Sequence, residues 1–117
     1  MVEVDELILK TLKTLPTKSF PGISDNIFKY QALTDSKTYI VFYIWNEHDI
    51  FYAGDEPIGT RSMATVNIYS FDEQKKLAAA IKSKLRQAGF SVIDSHSVFN
   101  DETDRVQTII EISYEDL

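Results

Sequence analysis

Three places in the sequence could carry chemistry by residue type and spacing. The first is Gly54-Asp-Glu-Pro-Ile-Gly-Thr-Arg61, two glycines five apart followed by a threonine, close to a phosphate-binding loop. Such a loop needs a lysine after its second glycine, and a helix opening at once behind it to face the anion. Here Thr60 and Arg61 follow Gly59, and Asp55 and Glu56 set two negative charges where phosphates would sit. What comes next is SMATVNIYSF, in which Ala64, Val66 and Ile68 alternate with polar residues and Tyr69, the period of a strand. The glycines and Pro57 therefore predict a strand-to-strand connection, not a nucleotide site.

The second and third places are the two histidines, in His48-Asp49 and Asp94-x-His96. Catalytic zinc takes about three protein ligands brought together. Two histidines near opposite ends of a small sheet do not supply them, and the chain has no cysteine. Both histidines are expected at strand ends and partly exposed. Neither a nucleophile elbow nor a His-Glu-x-x-His helix nor a paired-carboxylate motif occurs. The expectation is a protein without enzymatic activity, cofactor or metal.

The elements that hold these residues fit one domain spanning residues 1–117. An amphipathic helix is predicted over residues 2–15, with Val4, Leu7, Ile8, Leu12 and Leu15 on one face and Pro16 ending it. Ile27–Leu33 predicts a short strand. Thr38–Trp45, TYIVFYIW, is the strongest strand, placing Ile40, Phe42 and Ile44 on one face and Tyr39, Val41, Tyr43 and Trp45 on the other. After SMATVNIYSF, Ser70 and Glu73 have the spacing of a capping box, with Asp72 an equal candidate for the cap. The helix behind them buries Leu77, Ala78, Ile81, Leu85 and Ala88 and stops at Gly89. Two more strands, FSVIDSHSVF and RVQTIIEISY, are joined by NDETD as a hairpin. Long strands with short connections and two amphipathic helices predict an α+β two-layer sandwich, a mainly antiparallel sheet covered on one face by the helices.

Charge narrows the partners. The net charge of -6 argues against nucleic acid held on a generally basic surface. Basic and acidic residues balance before residue 91, so the whole excess lies in the closing hairpin and tail, Asp101, Glu102 and Asp104 among them. The second helix is basic, with Lys75, Lys82 and Arg86 on one exposed stripe beside Lys76 and Lys84. Patches of opposite sign in one small domain invite head-to-tail self-association, which closes into a ring when the rotation permits. The face of Tyr39, Tyr43 and Trp45 offers apolar contact of the kind found at protein interfaces. No apolar run reaches the ~20 residues of a membrane span, and the N-terminus lacks the build of a signal peptide, so assembly in the cytoplasm is expected.

YIVFYIW, then GDEPIGTRSMATVNIYSFDEQKKLAAAIKSKLRQAGF, then DETDRVQTIIEISYED, together resemble the small tail-terminator or tail-completion proteins of long-tailed phages and prophages. The resemblance implies a structural, non-enzymatic protein. It would cap the tail tube as a ring, typically of six copies, and present a face to head-completion proteins in the virion at the tail–head junction. It also implies that the connection bearing Asp55, Glu56 and Arg61 is a mobile segment that orders on contact. The alternative from the residues alone is a small ligand- or RNA-binding regulatory module, which would need a concave polar pocket.

Overall fold

A computed structural model describes residues 3–34 and 36–116. The fold is α+β: a five-stranded mixed sheet and two helices. In chain order these are α1 (Val4–Leu12), β1 (Ile27–Lys29), β2 (Tyr39–Ala53), β3 (Glu56–Ser70), α2 (Lys75–Gln87), β4 (Ser91–Asn100) and β5 (Arg105–Asp116). A single 3-10 turn, Ile23–Asp25, precedes β1. The sheet order is β1-β2-β3-β5-β4. All pairs are antiparallel except the edge pair, where β1 runs parallel to β2. A three-residue β1 leaves most of β2's outer edge free.

Alternation decides which face is covered. Ile40 opposes Ile68, Phe42 opposes Val66 and Ile44 opposes Ala64; across β3, Val66 meets Ile110 and Ala64 meets Ile112. Against this apolar face lie Ile8, Leu12 and Leu15 from the first helix and the turn after it, and Leu77, Ile81 and Leu85 from α2. Fully buried side chains of this size each contribute roughly 1.5–3 kcal/mol by leaving water. Both helices thus cover one side of the sheet, as the 3.6-residue spacing predicts.

Four details depart from the expectations. The second helix opens at Lys75, not behind Ser70: its N-cap is Gln74, without a side-chain cap. Ser70 Oγ is instead engaged with Thr38 Oγ1 at 2.9 Å and accepts from Gln74 Nε2 at 3.2 Å. Ser70 ends β3, Asp72 lies in a short bend, and Glu73 sits between that bend and the helix. The first helix is also shorter than its pattern, ending at Leu12, while Leu15 still reaches the core from the turn beyond. The strand expected over Ile27–Leu33 stops at Lys29, because Tyr30 turns to a left-handed φ of 68°. And Gly54–Arg61 is not a loose connection. Only Gly54-Asp55 turns, with Gly54 at φ 68°, and Glu56 already opens β3. Nothing helical follows it, which removes the phosphate-loop alternative.

β2 and β3 therefore form one long hairpin. Its base belongs to the sheet, and β5 pairs with β3 only from Thr60 down to Ser70. Beyond Thr60 and its partner Asp49 the two strands continue as a ribbon to Gly54. At ~3.3 Å per residue that arm reaches roughly 17 Å past the five-stranded body. It contributes to a long axis of 51 Å in a molecule 30 by 23 Å across.

Candidate functional site

The residues singled out by sequence fall into four places. Tyr39 and Tyr43 lie on the sheet face away from the helices. Tyr39 is not available there: it is 5% exposed, its ring stacked on Tyr69 at 5.0 Å. The Arg105 guanidinium lies over Tyr39 at 5.1 Å and over Phe71 at 4.8 Å. Arg105 also donates to the carbonyls of Ser36 (3.0 Å) and Thr103 (2.9 Å), so it ties the closing hairpin to the segment before β2. Burial, with Tyr39, Tyr43 and Glu102 nearby, raises the pKa of the Tyr69 hydroxyl. This part of the open face is already packed within the chain: Val41, Thr65 and Asn67 are buried as well. Asn67 donates to the Val41 carbonyl and accepts from Gln107. Tyr43 alone of the two tyrosines keeps partial exposure.

Trp45 does not share their face. The register slips between Ile44 and Asn46, so Trp45 is the extra residue of a β-bulge and the alternation restarts beyond it. Bulges re-aim side chains. Trp45, half exposed, here borders a cleft of about 490 Å³ at the N-terminus of α1. Glu3, Asp5, Lys29, Tyr30 and Glu47 border it too. Lys29 Nζ donates to Asp5 Oδ2 and sits 5.2 Å from the Tyr30 ring centroid. That hydrogen bond lowers the pKa of Asp5 and raises that of Lys29.

The third place is the arm. Asp55 and Glu56 are exposed at its tip. Arg61, opposite His48 at the arm's base, donates to Glu115 of β5 from both Nε (3.0 Å) and Nη2 (2.5 Å). Arg61 is therefore occupied in joining β3 to β5.

The fourth place is the β4 edge. Asp101, Glu102 and Asp104 are exposed in the β4–β5 turn, Asp104 with φ 54°. Lys75 and Lys82 border a cleft of about 270 Å³ between α2 and β4, with one acid, Glu73, and with Ser95, His96, Ser97 and Thr108. Arg86, exposed, continues the same stripe in the last turn of α2. The basic stripe and the acidic turn thus sit on one edge of the molecule, not on opposite edges. Glu3, Asp5 and Glu47 lie together on the opposite edge.

Neither histidine is at a strand end, because β2 and β4 run on past them: His96 lies within β4, its Nδ1 2.9 Å from Asp94 Oδ2, and His48 lies within β2 at the base of the arm. Among the described residues no group of three or more His, Asp or Glu side chains is placed to hold a metal ion. Sequence reasoning missed Tyr30, Glu3, Asp5 and Glu47. Nothing in YIVFYIWNEHDI marks the bulge that groups them, since neither glycine nor proline interrupts that run. No family model matches the chain, and no curated protein matches it. No helix among the described residues is long and apolar enough to cross a membrane.

Proposed function

We propose that this chain is a non-enzymatic assembly protein of a phage or prophage, a tail terminator or tail-completion protein. It caps the tail tube as a ring of six copies and helps join tail to head. Its partners are further copies of itself, the tail tube protein and head-completion proteins, with no sequence-specific nucleic acid and no membrane. It would act in the host cytoplasm during assembly and remain at the tail–head junction of the virion.

The observation that carries the reading is the pair of unlike lateral edges. One edge presents α2 with Lys75, Lys82 and Arg86 above β4, whose outer side pairs with no described strand. The other presents an acidic cleft with an exposed tryptophan beside β1 and β2. Unlike edges favour heterologous contacts, and these close into rings when the rotation between neighbours permits. The hairpin arm supports the same reading. A two-stranded ribbon is marginally stable by itself in water. Ile58, 55% exposed on this one, has an apolar side chain to offer a partner. In a ring, six arms would project together and grip a tube end or a head component.

Native mass spectrometry at rising protein concentration tests ring formation. The expected species is a discrete oligomer of roughly 80 kDa, six times 13.4 kDa. Its abundance should fall as salt rises, because exposed charges are screened over ~8–10 Å at physiological ionic strength. An unlimited ladder of masses, or a symmetric dimer, would contradict a closing heterologous contact.

A further inference from the structure

The cleft at the Trp45 bulge has features that its fold does not require. Tyr30 holds a left-handed backbone at φ 68°, an uncommon and strained conformation for a bulky residue. Trp45, the sole tryptophan, stays half exposed through a β-bulge. The acidic side chains Glu3, Asp5 and Glu47 outnumber Lys29, the cation bordering the cleft. Lys29 is committed to Asp5. Exposed aromatic faces beside unneutralised carboxylates attract a cation that can stack, and guanidinium does so best.

The same chain carries a matching group at the matching height on its other edge. Asn46 aligns with Met63, Met63 with Ser113 and Ser113 with Ser91 across the sheet. The bulge at Trp45 and the start of β4 are therefore at one level. Arg86 lies in the last turn of α2, at the end of the helix that leads into the start of β4, and so towards this level. It is exposed, on the stripe whose Lys75 and Lys82 overlook β4. A neighbour set beside this edge without axial displacement would bring its acidic cleft to Arg86. Zero displacement is also the condition for closing a ring rather than winding a filament.

We propose that the cleft bordered by Tyr30, Trp45, Glu3 and Glu47 receives the Arg86 guanidinium of a second copy, stacked on Trp45 and paired with Glu47. This inference rests on the ring reading above and names the contact that makes the ring. Lys82 of that second copy adds charge beside it. The α2 stripe and the cleft are then two halves of one heterologous interface, and the acidic β4–β5 turn takes no part in it.

The absence of native cysteine permits a direct test. An Asn46→Cys/Ser83→Cys chain, which keeps Glu47 and Arg86 and places thiols at the cleft and one turn before Arg86, treated with a short bis-maleimide at a concentration where native mass spectrometry shows oligomers, should give a ladder on denaturing gels. The ladder should end at the ring order, because every chain carries both halves of the contact. A Glu102→Cys/Ser83→Cys control should give little above monomer. Trp45 supplies a second readout, since its fluorescence should shift on association. Arg86→Glu should weaken association by more than tenfold and abolish that shift. Adding Glu47→Arg to Arg86→Glu should restore both. If oligomers form but the Asn46/Ser83 pair cross-links no better than the control, or the double reversal rescues nothing, the contact is wrong while the ring reading survives. Wild-type protein that stays monomeric at every concentration and on tube ends overturns both. A ladder closing at the ring order, from a protein that leaves tail tubes uncapped, upholds the contact and defeats the terminator reading.

Discussion

At the residue scale, the most informative side chains are those whose partners sequence does not reveal. Asp5 and Lys29 are far apart in the chain, yet they tie α1 to β1. Both are partly exposed, so the pair is worth no more than ~1 kcal/mol. Its pH dependence has a definite sign. The folded pKa of Asp5 is lowered, so its contribution is complete above pH ~4 and fades as pH falls below that. The folded pKa of Lys29 is raised, so its contribution holds below pH ~10 and fades above it. Asp5→Asn should therefore cost less at pH 3 than at pH 7, measured by urea denaturation at each pH. An equal loss at both would contradict the ion pair. Gly89 was legible from sequence and stays so: with φ 102° it ends α2, the amide of Phe90 bonding the Leu85 carbonyl at 2.9 Å and that of Gly89 the Arg86 carbonyl at 3.1 Å. A methyl there would meet Tyr114 Cε2 at 3.3 Å. Gly89→Ala should cost ~1–2 kcal/mol with an unchanged denaturant slope. A neutral result would mean that the cap is not strained by a side chain.

At the element scale, period alone located most of the fold. Val66, Ile68, Ile110 and Ile112 alternate in sequence and all face the helices in the sheet. What period could not supply was where pairing starts and stops. Ser70 and Glu73 have the right spacing for a capping box, but Ser70 is claimed by Thr38 and Gln74, so α2 opens at Lys75. Local spacing lost to a tertiary hydrogen bond. The bulge at Trp45 was invisible for a related reason. It depends on the register between β2 and β3, and a strong β run looks the same with or without it. Gly54–Arg61 contained turn residues, but only Gly54-Asp55 turns, because the flanking strands pair right up to it. The arm should nonetheless open more readily than the sheet below. It lacks a third strand, and local opening follows missing neighbours. Amide exchange should be at least tenfold faster at Ile50 and Gly59 than at Tyr43 and Val66, read by NMR. Equal protection would show the arm to be as firmly held as the body.

At the scale of the whole molecule, the two-layer arrangement leaves three surfaces with different characters. One edge is basic under α2, the opposite edge is an acidic aromatic cleft, and an arm stands at one end. The sequence carried the charges of the first and the tip of the third. It did not carry the second, because Glu3, Tyr30 and Glu47 lie in three separate elements and only the fold gathers them. Lateral contacts between the unlike edges would leave the arms free to act along the axis, which is the division of labour that a tube cap needs.

The most direct measurement is electron microscopy of tail tubes polymerising from purified tube protein encoded beside this chain, as the proposed function requires, with the chain added at several times. Tubes should stop growing when the chain is added, each should carry a ring at one end, and Arg86→Glu protein should leave tubes growing. Tubes that reach the same lengths with and without the wild-type chain, and bear no ring at either end, would contradict the capping role.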